Sequence, residues 1–296
     1  MPKLPFVKMH GCGNDYVYVV ADHIRPADPA GFARRVSDRR LGIGGDGLIM
    51  LSPTTDADVR MEMYNADGSR GEMCGNGIRC LARLYYEAAG GHRNPVTVAT
   101  DCGIKTVALT VGGGPVAATV DMGEPILAGP DIPVDYNGPV IDFPLQVGGR
   151  VERITAVSMG NPHCVVFVAD DQILGLDDAE FARVGRQFEH HQFFPRRVNT
   201  EFVRPLARDL LKMRVWERGS GETFACGTGA CASLVAAVLT GRADRTAIME
   251  LRGGNLQIEW RESGAAANHV FMTGEAVEVF RGEIELGDDE LISVNA

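Results

Sequence analysis

Three things are scarce in this sequence, and each scarcity removes a class of function. Positive charge is one: Lys plus Arg number 29 against 39 Asp plus Glu, a formal net charge of −10 with pI ≈ 5.2. Neither a phosphate backbone nor an anionic membrane would find an electrostatic footprint here, so nucleic-acid and membrane partners are not expected. Long apolar runs are the second. The longest, residues 230–239, falls far short of the ~20 residues a bilayer span needs, and residues 1–8 carry no signal-peptide apolar core, so a cytoplasmic location is expected. Paired cysteine spacing is the third. Cys12, Cys74, Cys80, Cys102, Cys164, Cys226 and Cys231 are widely spread without a C-x-x-C pair, which points to neither a disulfide framework nor a zinc site.

What is present is ordinary apolar content, 45%, with 23% charged residues and a surplus of glycine, 36 in 296. A chain of this length favours two domains, and extra glycine favours tight turns and close backbone approaches over long helices. An internal duplication supplies the two domains. Cys74-Gly75-Asn76-Gly77 and Cys226-Gly227-Thr228-Gly229 each open an apolar, helix-compatible run ending at Gly90 and Gly241. Phe-Ala-Arg at 32–34 and 181–183 precedes each cysteine at nearly equal spacing, and glycine corners at Gly103 and Gly254 follow each. Asn14 and Asn161 each stand at a polar corner entering a strand-like run.

The alternation in residues 60–64 and 256–260 reads as half-buried strands. The helix after Cys226 is apolar on nearly every face and must be surrounded by protein. The expected fold class is therefore α+β, two pseudo-symmetric domains, each a barrel-like sheet wrapped around a central helix. The first half spans residues 1–123 and carries Cys74, completed by a C-terminal strand at 277–286. The second spans 124–276 and carries Cys226, and the 287–296 tail has no assigned role.

A cysteine immediately before a helix meets unpaired amide N–H groups and the positive end of the helix dipole, which favour a thiolate. Glycines at the helix start let a carboxylate approach the same amides. A free cysteine is usually a small buried hydrophobe, a reading that suits Cys80, Cys102 and Cys231. Two thiols at matching helix starts are harder to treat so. On facing copies they would suit removing a proton from one face of a carbon and delivering one to the other.

Six motifs in order, at residues 9–16 (MHGCGNDY), 64–69 (YNADGS), 73–80 (MCGNGIRC), 159–164 (MGNPHC), 216–223 (WERGSGET) and 225–231 (ACGTGAC), cover almost the whole chain. In these the sequence resembles the diaminopimelate epimerases, a family of two-cysteine amino-acid epimerases that work without pyridoxal phosphate. The resemblance implies interconversion of LL- and meso-diaminopimelate in lysine and cell-wall precursor synthesis, without cofactor or metal, in a homodimer. It makes Cys74 and Cys226 the acid/base pair, with His163 and Glu217 as assisting polar residues. Asn14, Asn65, Asn161, Asn199, Glu217 and Arg218 match substrate-binding positions, and Gly75, Asn76, Gly227 and Thr228 the helix-start amides.

Physical chemistry weighs these residues separately. A planar guanidinium at Arg218 can bind both oxygens of a distal carboxylate; the alternative is a surface ion pair with Glu217 or Glu222. Asn65 and Asn199 could be turn residues, and His163, following Pro162, could be a satisfied structural histidine. His190 and His191 lie in a polar loop and carry no expected role. Glu217 lies nine residues before Cys226 and Asn65 nine before Cys74, which points to one duplicated position diverged into a charged and a neutral ligand.

Residues 42–47 match G-x-G-x-x-G, yet a helix-like segment precedes them and a strand-like one follows, the reverse of a dinucleotide site. They read as a loop lining the cleft, where Gly47 replaces a glutamine that some family members use on substrate. A proline- or hydroxyproline-type racemase is the alternative on the same fold. A cysteine hydrolase would leave the second helix-start cysteine unexplained, and a non-catalytic amino-acid-binding protein would bind without exchanging a proton.

Overall fold

The computed structural model describes residues 2–112, 114–287 and 290–293. It divides into two compact units, Met1–Val120 with Gly274–Ala296, and Asp121–Thr273. Four α-helices lie among the described residues: α1 (Pro29–Ser37) and α2 (Gly75–Ala88) in the first unit, α3 (Asp178–Glu189) and α4 (Gly227–Leu239) in the second.

The first unit is a ladder that runs Val277–Glu285, Lys3–Gly11, Asn14–Val20, Gly47–Ser52, Val59–Asn65, Val96–Thr100, Gly103–Thr110. Its pairings are antiparallel, antiparallel, parallel, antiparallel, parallel, antiparallel. The second unit runs Phe143–Val147, Arg150–Ser158, Pro162–Phe167, Asn199–Ala207, Leu210–Glu217, Thr246–Leu251, Gly254–Trp260, with the same succession of senses. Parallel neighbours cannot be joined by a tight turn and need a crossover. In each unit the first crossover carries α1 or α3, and the second carries the cysteine helix.

Burial follows this topology. α2 packs against strands throughout its unit, and α4 against strands throughout its own, so each cysteine helix is enclosed by sheet. Leu81 and Ile78 on α2, and Leu234, Val235 and Ala236 on α4, are fully buried. The all-round apolar character of α4 is thus satisfied on every side. A second layer sits over the outer face of each sheet: Phe32, Ala33 and Val36 of α1 join Leu48 and Met50 in one core, and Phe181 and Phe188 of α3 join Phe202 and Trp216 in the other. The helix-then-strand order around residues 42–47 is as expected, with α1 before and Gly47–Ser52 after. In the 287–296 tail, residues 291–293 pair with Ile24–Pro26, and residues 288, 289 and 294–296 lie outside the described residues.

Candidate active site

Both helices begin at a cysteine in extended conformation, φ −128° at Cys74 and −119° at Cys226. Each sulfur accepts the N–H of the residue three positions on, Gly77 or Gly229, at 3.4 Å. The thiol takes the place that a serine or aspartate oxygen usually fills at a helix N-cap. The glycines are required by close approach. A Cβ on Gly77 would sit 2.5 Å from Ile49 Cδ1, and one on Gly229 2.6 Å from Glu201 Oε1.

In the first unit Cys74 is partly exposed, and its Sγ donates to Asn14 Oδ1 at 3.1 Å. Asn14 is oriented in turn by Asp46, whose Oδ2 accepts its Nδ2 at 2.6 Å and the N–H of Asp15 at 3.1 Å. Arg39 bridges Asp46 and Asp15 at 2.8 and 2.7 Å, and Lys8 pairs with Asp15 at 2.6 Å. Those cations hold the Asp15 carboxyl below its ordinary range against the opposing effect of burial. The glycine loop therefore contributes Asp46, a residue the sequence alone did not single out. Asn65 Nδ2 donates to Ser69 Oγ at 2.9 Å within its turn. Asn76 is buried and accepts from Arg79 at 3.0 Å, so its side chain is engaged inward.

In the second unit Cys226 is buried, and Thr228 Oγ1 lies 3.5 Å from its sulfur. Burial pushes its thiol well above the ordinary range, and the carboxylates of Glu217 and Glu201 push further, against Thr228 and the Gly229 N–H. At Cys226 desolvation and the two acids thus act against the thiolate that a helix start favours. His163 is fully buried, with Nδ1 2.7 Å from Glu201 Oε1 and Nε2 3.0 Å from Asn161 Oδ1. Thr223 Oγ1 donates to Glu217 at 2.5 Å, while burial raises the Glu217 carboxyl above its usual range.

Asn199, 2% exposed, accepts the backbone N–H of Arg218 at 2.9 Å and so fixes the start of that turn. Glu222 is taken by Arg214 at 2.6 Å and Arg252 at 2.6 Å. Among the described residues no carboxylate lies within ion-pair distance of Arg218, which is exposed and donates to Arg196 O at 3.3 Å. The ion-pair alternative for Arg218 falls, leaving guanidinium N–H groups for a ligand. His190 closes α3 and His191 Nε2 meets Gln146 O at 3.0 Å, away from the cysteine.

Strand register relates the surroundings of the two cysteines position by position. Tyr16 pairs with Gly47 as His163 pairs with Asn199. Gly47 is opposite Asn65, and Thr200 opposite Trp216 places Asn199 opposite Glu217. The equal nine-residue offsets of Asn65 and Glu217 thus fall on one structural position. Glu201 escaped the sequence reading altogether. Its signal was an acid two residues after Asn199, on the same face of a strand whose other inward positions are apolar. Among the described residues the donor atoms of His163, Glu201 and Cys226, all within 4.8 Å of one another, are those that could together hold a metal ion.

The diaminopimelate epimerase family model matches residues 6–128 and 155–279, covering both cysteine helices. A relative named diaminopimelate epimerase from Moorella thermoacetica is 52% identical over 284 residues, spanning 95% of this chain and 99% of its own. Another of that name, from Acetivibrio thermocellus, is 48% identical over 285 residues, with 96% and 99% covered. Among solved structures, a hydroxyproline epimerase from Agrobacterium vitis shares the fold at TM-score 0.66 and 15% identity, covering 96% of this chain and 91% of that one. With matched cysteine helices in both units and half of its residues shared along nearly its full length, the chain belongs to the diaminopimelate epimerase family.

Proposed function

We propose that this chain interconverts LL- and meso-diaminopimelate by two-base proton transfer at the α-carbon, with Cys74 and Cys226 as the acid/base pair. The observation that carries this reading is the repeated N-cap cysteine, one per unit, each receiving an amide N–H at 3.4 Å. In one direction a thiolate takes the α-proton, the bonding pair stays on carbon, and the other thiol delivers a proton to the opposite face. The two sulfurs end with their protonation states exchanged, so no external acid, base or cofactor enters the balance. Burial and two carboxylates keep Cys226 as the thiol in the resting enzyme, which suits it to begin as the donor.

The carbanion is the energetic difficulty, because an α-proton is a far weaker acid than a thiol. Amides at residues 75–76 and 227–228, aimed at the α-carboxylate, would be preorganised donors, each worth about a hundredfold or more in rate. Glu217 and His163 orient the reacting amino and carboxylate groups. Arg218, held by Asn199, takes the distal carboxylate, and Asn14, Asn65 and Asn161 complete the recognition of a substrate with two amino-acid heads. The products feed lysine and cell-wall precursor synthesis. A homodimer and a cytoplasmic, thiol-reducing setting belong to the same reading, since the chemistry needs both cysteines free. Incubation of LL-diaminopimelate with reduced protein in D2O tests it: α-deuterium should appear together with meso product, and folded protein that incorporates none would sink the assignment.

A further inference from the structure

Glu201 is a buried acid to which no part of the proposed reaction assigns a role. Its Oε1 lies 2.7 Å from His163 Nδ1, with both side chains 0% exposed. Its Oε2, also buried, has no hydrogen-bond partner among the described residues. Burying a carboxylate costs several kcal/mol unless good partners compensate it, and an apolar side chain of similar volume often serves stability as well or better. Fold stability alone therefore gives a weak reason for an acid here.

The matching position in the other unit shows what the fold itself requires. On each parallel strand pair the residue two beyond the partner of Tyr16 or His163 points at the first turn of the cysteine helix. In the first unit that residue is Ile49, packed on Gly77; in the second it is Glu201, packed on Gly229. The same packing task is met by an aliphatic side chain where the neighbouring register position holds Tyr16, and by an acid where it holds His163. The acid goes with the histidine.

We propose that Glu201 is a positioning residue for the reaction: it holds a proton on His163 Nδ1 and fixes the ring, so that Nε2 is presented at Asn161. An ionised carboxylate only accepts hydrogen bonds, so the 2.7 Å contact requires the proton on Nδ1; this assignment follows from the hydrogen-bond network. A charge-assisted bond of this length is among the stronger fixed contacts available to an imidazole. It leaves Nε2 as an acceptor beside the Asn161 side-chain amide, 3.0 Å away, and an acceptor there requires Asn161 to turn its Nδ2–H group, not its oxygen, to the ring. The inference rests on the epimerase reading for the roles of His163 and Asn161, but the state of the ring can be measured without turnover.

The test uses Glu201→Gln, which keeps the volume and removes the charge, alone and in a His163→Gln background, with thermal unfolding as the folding control. For Glu201→Gln the kcat for LL-diaminopimelate should fall about 10- to 100-fold with KM within about threefold. In the His163→Gln background the further loss should shrink below about twofold, because a residue acting through His163 has nothing left to act on. Unchanged kcat in Glu201→Gln, or an undiminished loss in that background, overturns the proposal. Independently, two-bond 15N–1H spectra of the imidazoles, with His163 assigned by its absence in His163→Gln, should show Nδ1 protonated in the parent and the preference lost in Glu201→Gln. A parent with bare Nδ1 overturns the proposal whether or not the protein turns over substrate. A parent that exchanges no α-proton strikes the epimerase reading instead, and the spectra still decide whether Glu201 sets the ring.

Discussion

Cys74 and Cys226 begin from the same local geometry and end in different chemical surroundings. Both cap a helix, both accept a glycine N–H at 3.4 Å, and both helices are second crossovers in ladders of identical sense. At Cys74 Asn14 touches the sulfur, and the nearby acids Asp46 and Asp15 are tied to Arg39 and Lys8. Around Cys226 the sulfur is buried and two acids, Glu217 and Glu201, act on it directly. The duplicated units thus carry two equivalent helix-start cysteines, and three register positions (Tyr16 and His163, Ile49 and Glu201, Asn65 and Glu217) differ around them. An asymmetric pair suits a reaction in which one sulfur must start as base and the other as acid.

The largest expected effect comes from removing either sulfur. Cys74→Ser and Cys226→Ser should each lower kcat for epimerisation by about a hundred- to ten-thousandfold, while binding of diaminopimelate measured by calorimetry stays within a few-fold. If one of the two variants kept near-parental turnover, the two-base symmetry would be broken and the pair would reduce to one catalytic thiol.

Next in size is the transplant of the second unit's acid into the first. Ile49 is fully buried on Gly77, and Ile49→Glu would place a carboxylate there with Tyr16, not a histidine, at the neighbouring register position. A loss of about 3–5 kcal/mol in urea unfolding is expected for an uncompensated buried charge. A loss below about 1 kcal/mol would mean that this position tolerates an acid without an imidazole, and would weaken the pairing of Glu201 with His163.

The smallest effect is on thiol reactivity. Because burial and the Glu217 and Glu201 carboxylates raise the Cys226 thiol, its iodoacetamide labelling in substrate-free protein should rise with pH around a midpoint above the ordinary ~8.5 of a free thiol. Glu217→Gln removes one negative charge, which favours the thiolate and lowers that midpoint. At a fixed pH of about 8 the labelling rate of Cys226 should therefore increase, by up to about tenfold for each unit the midpoint falls. The partly exposed Cys74 should label before Cys226 in the parent, and peptide mapping distinguishes the two. A Glu217→Gln protein whose Cys226 labels more slowly would reverse the sign argued here.

Much of this asymmetry was invisible along the chain, although the duplication was not. The paired Cys-Gly-x-Gly motifs, their common spacing from Phe-Ala-Arg and from the glycine corners, and the apolar run after Cys226 are local features with local physical meanings. They led to two similar units, enclosed helices and a reactive sulfur at each helix start. The equal offsets of Asn65 and Glu217 were legible for the same reason, since an antiparallel neighbour followed by a helix start keeps its count in sequence. The surroundings of Cys226 were not legible, because a helix dipole is a property of the helix, whereas the desolvation and opposing acids that raise its thiol belong to what packs over it. Arg218 went the other way: of its two alternatives in the sequence, Glu222 proved to be held by Arg214 and Arg252 and Glu217 by Thr223.

Glu201 and Asp46 mark the boundary most clearly. By itself the sequence determined the repeat, the alternation of strands, the two capped helices and the residues carried on them, because each depends on neighbours a few positions away. Only the tertiary structure decided that Glu201 meets His163 across 38 residues of chain and that Asp46 meets Asn14 across 32. The first contact bridges parallel strands joined by a crossover and the second joins one such strand to the residue just before its partner, and the register of such a pair is set by which faces the sheet can bury rather than by any count along the connecting chain.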